Sequence, residues 1–311
     1  MVSLPKQWVD AHNLVKSSQV QIETLENSLS ITVGEGRKLY KEIEIEYPLS
    51  GEENIAANIT GAYLLGYDTI KINCKSTISV KDREVIRESM RRLVGMEILD
   101  EDASNITGQF LLDETSLNPK TIFKRMSSIA LGMFDETLST LTTGDSINLQ
   151  TIPNRDDEIN RQYFLLVRFI RSTMVDRRLA GIFNLENIDI LDYRIAGNIL
   201  ETAGDTIVDL SKSITDTSLS GTDQKKIYEI AKDIENIQKK AIDAFITNNR
   251  SLAIEAIKLH GQHQEKVSKI RSSLEHKKQT PIAFLDLIYI FEKIAQSWSD
   301  ISDLVQPTYR K

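Results

Sequence analysis

The sequence predicts a mainly α protein: two tandem three-helix bundles preceded by a small β/α+β amino-terminal region. Three observations point there. Glycine (14) and proline (6) are scarce for 311 residues, which disfavours a loop-rich all-β chain. From about residue 116 onward, apolar residues recur at the 3.6-residue helical period. Before that point, short segments alternate apolar with polar residues, as half-buried strands do.

Taken in order, Val2 to Val9 starts extended, because a residue before proline avoids the helical region. Gln7 to His12 then has room for about one helical turn, ending near Asn13. Val20–Glu23 and Leu29–Val33 alternate as two strands, with Asn27-Ser28 at a hairpin turn between them. A small α/β unit follows, with strands at 43–47, 68–74, 96–99 and 106–112 and helices at 54–65 and 79–93. Gly66 and Gly95 fall just past those helices, where a left-handed cap places glycine. Breaks at Gly144 to Pro153, Gly181 to Leu185, Thr217 to Asp223, Asn248-Asn249 and Gln279 to Pro281 then mark out six helices. Asp223 and Thr280 are candidate N-caps, with Pro281 at a first helical position. Short connections favour antiparallel neighbours, grouped in two sets of three. The divisions are 1–34, 35–115, 116–220 and 221–311.

Charge divides along the same line. Residues 1–115 hold 12 Lys/Arg against 19 Asp/Glu, whereas residues 116–311 hold 26 of each, so the whole net charge of -7 belongs to the first third. An acidic chain has no general attraction for nucleic acid or anionic lipid. One cysteine, Cys74, excludes a disulfide scaffold and any Cys-only zinc site. The sequence has no apolar run near 18 residues and no basic-then-apolar leader, so a cytoplasmic protein without membrane insertion is expected. GxGxxG, GxxxxGK[ST] and GxSxG are absent, and no nucleophile–base arrangement is identifiable, so no enzyme is expected.

Four places offer chemistry. Glu201 and Asp205, at i, i+4, share one helix face nearly opposite the Ile199/Ala203/Ile207 stripe. Their mutual repulsion would be reversed by a hard cation, which takes carboxylate oxygens; the alternative is a solvated face. Gly204 between them costs about 1 kcal/mol relative to alanine, which makes sense where something approaches the backbone closely. Asp156, Asp157 and Glu158 cluster in a helix start, with Asn160 one turn on from Asp156; favourable interaction with the helix dipole explains the acids equally well. His260 and His263, at i, i+3, are a metal-ligand pair or packed histidines. Glu292, Gln296 and Asp303 read as a polar face of the last helix.

These residues resemble a known family. The segment 193–205, ending in Glu201-Thr202-Ala203-Gly204-Asp205, is similar to the helix bearing the E-R-x-G-D type motif of the phosphate-uptake regulators (PhoU). Asp156 to Asn160, followed by residues 163–168, resembles the same family's D-xxx-D/N helix. Residues 241–245 resemble its alanine–phenylalanine helix end, and 291–296 stand where a second E-xxx-D motif belongs. The likeness covers about residues 116–308. Residues 2–9 and 13–20 resemble an AbrB-type swapped-hairpin domain, as in archaeal versions of the family, but without the usual Gly-Asp and first strand, so this unit reads as truncated or as starting upstream.

The resemblance implies metal ions held by surface carboxylates. Site one would use Asp156, Asn160, Glu201 and Asp205, and a degenerate site two His260, Gln264, Glu292 and Gln296. The cofactor would be a divalent or multinuclear metal (iron, zinc or magnesium). The implied role is regulation of phosphate uptake through contacts with a phosphate ABC transporter or its signalling protein, in a homodimer. The alternative is an AbrB-type DNA-binding transcription regulator with a PhoU-like sensor. Residues 1–40 carry four Lys/Arg and four Asp/Glu, which offers few clustered cations for phosphate backbones.

Overall fold

Pro5 occupies the N-cap of a short helix, α1 (Lys6–Ala11), which stops before Asn13 turns left-handed at φ 52. The strands β1 (Val20–Leu25) and β2 (Ser28–Val33) pair antiparallel, with Val20 opposite Val33 and Ile22 opposite Ile31. In this computed structural model the described residues are 3–25, 28–33, 40–51, 53–144, 147–216, 221–275 and 282–305, so Asn27, Thr280 and Pro281 lie outside them. The hairpin belongs to a compact unit of its own, residues 1–41, and residues 42–311 form a second.

The second unit opens with β3 (Glu42–Tyr47), α2 (Ile55–Leu64), β4 (Thr69–Cys74), α3 (Val80–Arg91), β5 (Met96–Glu101) and β6 (Asn105–Phe110). Asn54 caps α2 by accepting from the amides of Ala56 and Ala57, and Ser79 caps α3 by accepting from Asp82. The sheet order is β3-β4-β6-β5, with β3 and β4 parallel and the other pairs antiparallel. Ile45, Ile70, Ile72 and Ile106 are buried with Ile59 of α2 and Ile86 of α3. Alternation puts Glu42, Glu44 and Glu46 on the other, exposed face, so part of the acidic excess of the first third is a solvated sheet face. Gly66 follows the C-cap of α2 at φ 80. Gly95, also at φ 80, is not the cap of α3, where Arg92 stands; it turns the chain into β5, and a Cβ there would meet Leu112 at 2.6 Å.

The helical part comprises α4 (Pro119–Thr143), α5 (Ile152–Val175), α6 (Arg177–Ile182), α7 (Asn187–Asp216), α8 (Gly221–Thr247), α9 (Arg250–Glu275) and α10 (Ile282–Asp303). Where periodicity predicts six helices, the described residues form seven. Asp176 leaves the helical conformation (φ -109, ψ 98) and caps α6 by accepting from the Arg178 amide. Pro153 lies in the first turn of α5 rather than in the loop before it. Asp223, predicted as an N-cap, stands inside α8, which begins at Gly221.

Helices α4, α5 and α7 pack as one bundle and α8, α9 and α10 as another, joined through α4 on α8 and α7 on α10. Aromatic rings knit that join: Phe123 and Tyr193 each contact Phe245, and Phe134 meets Phe291 edge-on at 6.1 Å between centroids. One apolar core runs continuously from the sheet through both bundles. Among the described residues no helix is long and apolar enough to cross a membrane.

A buried arginine fastens the α/β layer to the first bundle. Arg168, from the middle of α5, is 1% exposed. Its Nη1 donates to the carbonyls of Tyr63 and Tyr67 at 2.9 and 2.8 Å, and its Nη2 donates to Asp68 at 2.9 Å. Glu114 lies 3.7 Å from Nη2, and the guanidinium stacks 3.9 Å from the Phe110 ring centroid. Desolvating such a charge is tolerated only with this degree of compensation.

Candidate functional site

Helices α5 and α7 meet closely because α7 carries glycine where it crosses α5. Gly197 and Gly204 are buried, and a Cβ at Gly197 would come within 2.8 Å of Leu166. At Gly204 the close approach expected from sequence is made by Asp156, whose Oδ1 would lie 2.9 Å from an added Cβ, and by Ile159 at 3.1 Å. The seam thus places Asp156 and Asn160 of α5 beside Glu201 and Asp205 of α7. Glu201 is half-buried, so the face it shares with Asp205 runs along the neighbouring helix as well as towards solvent.

The four site-one residues interact without closing into a finished ligand set. The Asn160 amide donates to Asp156 Oδ2 at 3.4 Å, a long bond, while the buried Asp156 Oδ1 has no hydrogen-bond partner. Burial first, and then the charges of Asp205, Glu201 and Asp157, push the Asp156 carboxyl up to about 6. Burial and Asp205 likewise raise Glu201, against the opposing pull of Arg194. Both shifts have one sign, set first by burial and then by the neighbouring carboxylates. Among the described residues no three His, Cys, Asp or Glu side chains are grouped as a ready metal cage.

In front of the carboxylates lies an open groove of about 600 Å³, walled by α3, α5 and α7. Asp157, Asn160, Glu201 and Asp205 line it, and Arg91 at the end of α3, Arg92 at its cap and Arg161 from α5 supply positive charge. Arg161 Nε donates to the Arg92 carbonyl at 3.2 Å, and Arg92 lies 3.5 Å from Asp157. Deeper along the seam, Arg194 donates to the Tyr163 hydroxyl at 2.6 Å, which in turn donates to Asn198 at 3.1 Å.

The residues of site two are engaged elsewhere. His260 is buried, with Asp300 and Asp303 of α10 in its electrostatic surroundings, and Gln264 is exposed. Glu292 is paired with Arg271, and Gln296 donates to Asp300 at 2.6 Å. Among the described residues none of the four hydrogen-bonds to another. His263, fully buried, stands 4.0 Å from Asp233, and burial lowers it to about 4. It reads as a packed residue of the second bundle.

Sequence reasoning missed the arginine wall and the Arg168 anchor. Arg91 and Arg92 carry no motif, and they join the site only because α2, packed on both α3 and α5, brings the end of α3 to α5; the Arg161–Arg92 bond spans 69 positions. A paired arginine at a helix end, opposite a neutral-to-acidic bundle, was the one available signal.

Residues 123–214 match the family described as PhoU domain. Two solved structures share the architecture. PhoU from Pseudomonas aeruginosa superposes with a TM-score of 0.53 at 15% identity, covering 60% of this chain and 93% of that one. The phosphate transport system regulatory protein PhoU from Streptococcus pneumoniae gives 0.51 at 17% identity, covering 60% and 91%. No curated protein sequence matches the chain.

Proposed function

We propose that this chain, which carries a PhoU domain over residues 123–214, regulates phosphate uptake. It acts through contacts with a phosphate ABC transporter or an associated signalling protein, as a homodimer, and carries out no catalysis of its own. The domain match carries this reading, and a likeness of fold to a solved PhoU structure over 60% of the chain supports it. The test is affinity capture with the full chain from phosphate-replete cells. Recovery of the transporter's nucleotide-binding subunit or its signalling partner is expected; consistent absence of both would count decisively against it.

A divalent cation at site one belongs to the same reading. The residues suit a hard cation: Asp156 Oδ1 is an acceptor without a donor, Gly204 lets it lie close against α7, and Glu201 and Asp205 supply further oxygens. Magnesium-like ions keep several waters and need only one or two carboxylates, so an open donor set fits them better than it fits zinc. Bound there, the ion would neutralise the seam and draw α5 and α7 together at the groove. The weaker donors of site two, one of them tied to Arg271, favour no cation there.

DNA contact by the amino-terminal unit is the second reading, resting on the resemblance of residues 2–9 and 13–20 to an AbrB-type domain. A gel shift on the gene's own upstream region at low salt tests it: a complex supports the reading and its absence removes it.

A further inference from the structure

We infer that the groove between α3, α5 and α7 binds a phosphate-bearing ligand, with Arg91, Arg92 and Arg161 gripping the phosphate and the carboxylates of α7 holding a cation against it. The inference rests, for its acidic wall, on the cation reading above. Guanidinium groups present paired N–H donors that match phosphate oxygens, and three arginines line this groove. They come from two different elements, and the Arg161 bond to the Arg92 carbonyl fixes the two walls relative to each other. Two of them are only loosely paired, Arg92 with Asp157 at 3.5 Å and Arg91 with Glu84 at 3.7 Å, on side chains more than 60% exposed, whereas Arg161 pairs with Glu158 at 3.0 Å. Such surface pairs contribute about 0–1 kcal/mol, so an arriving anion displaces them at small cost.

The mixture of signs selects the ligand class. Glu88, Asp157, Glu201 and Asp205 repel a bare anion, and the three arginines repel a bare cation. A phosphate paired with a divalent cation meets both walls, and magnesium-type ions are commonly held by one or two carboxylates together with ligand phosphates. At about 600 Å³ the groove exceeds one phosphate ion and falls in the range of small-molecule sites. The half-buried ring of Phe164 on its wall offers an apolar contact that only an organic phosphate would use.

The full chain, at neutral pH, is first titrated with Mn2+, then with inorganic phosphate and, separately, with AMP and ATP at saturating Mn2+. Saturable binding of phosphate or nucleotide is expected. Arg92→Gln and Arg161→Gln should each weaken it by about tenfold while Mn2+ binding is kept and circular dichroism is unchanged. Inorganic phosphate binding as tightly as the nucleotides identifies the free ion as ligand. Tighter nucleotide binding that falls selectively in Phe164→Ala identifies an organic phosphate. Mn2+ binding with no phosphate or nucleotide binding, or affinities untouched by both arginine variants, overturns this inference alone. Failure of Mn2+ to bind overturns the cation reading and this inference together.

Discussion

Gly204 is the residue at which the physics of the seam can be isolated. In a helix interior, glycine to alanine ordinarily gains about 1 kcal/mol. At Gly204 the new methyl meets Asp156 and Ile159, and overpacking of this kind costs about 1–3 kcal/mol. Gly261 in α9 has nothing within 4 Å of its would-be Cβ. Gly261→Ala is therefore expected to stabilise the chain, and Gly204→Ala to destabilise it by about 1 kcal/mol net, when both are compared by urea denaturation. Equal gains at the two positions would mean that α5 and α7 are not held this close.

His263 provides a pH test at the same scale. It faces Asp233 of α8 and shares its own helix with His260 and Lys266, and burial holds it at about 4. The unfolded histidine, near 6.5, binds a proton more readily than the folded one. Its neutral form thus supports the fold fully above pH 6.5, and that support is lost as the pH falls through 4, up to about 3 kcal/mol in all. Stability measured between pH 4 and 7 should decline on acidification more steeply in the wild type than in His263→Leu. Parallel profiles would show that the ring is not buried neutral.

Among elements, α5 does the most work: one face builds the site and its midpoint anchors the sheet. Arg168→Met strips the carboxylates of Asp68 and Glu114 of their buried counter-ion, and losing one partner of such a set costs about 3–5 kcal/mol. A loss below 1 kcal/mol in urea denaturation would refute the anchor. The strands, α2 and the long bundle helices were legible because each carries its own signal: period-2 alternation in β3, the glycine just past α2, and the 3.6-residue stripe of Ile199, Ala203 and Ile207. Gly204 was legible too, since an expensive helical glycine demands a neighbour. Arg168 was not, because a charge within Phe164–Ile170 reads locally as a solvated side chain; its hydrogen-bond partners lie 100 or more residues away. The short α6 was equally hidden, because its boundary depends on one extended residue, Asp176.

Across the whole molecule, charge sorts by surface. The acidic excess of the first third includes the outer edge of the sheet at Glu42, Glu44 and Glu46, whereas the groove mixes both signs within one wall-to-wall span. That arrangement brings charges of both signs to the seam between α5 and α7, beside the end of α3. The most direct measurement is a calorimetric titration of the full chain with Mn2+ at neutral pH, beside the Glu201→Gln/Asp205→Asn variant. Saturable binding that disappears in the variant, with its fold intact by circular dichroism, is the predicted result. Equal binding by both proteins, or none by the wild type, would contradict a cation site on this seam.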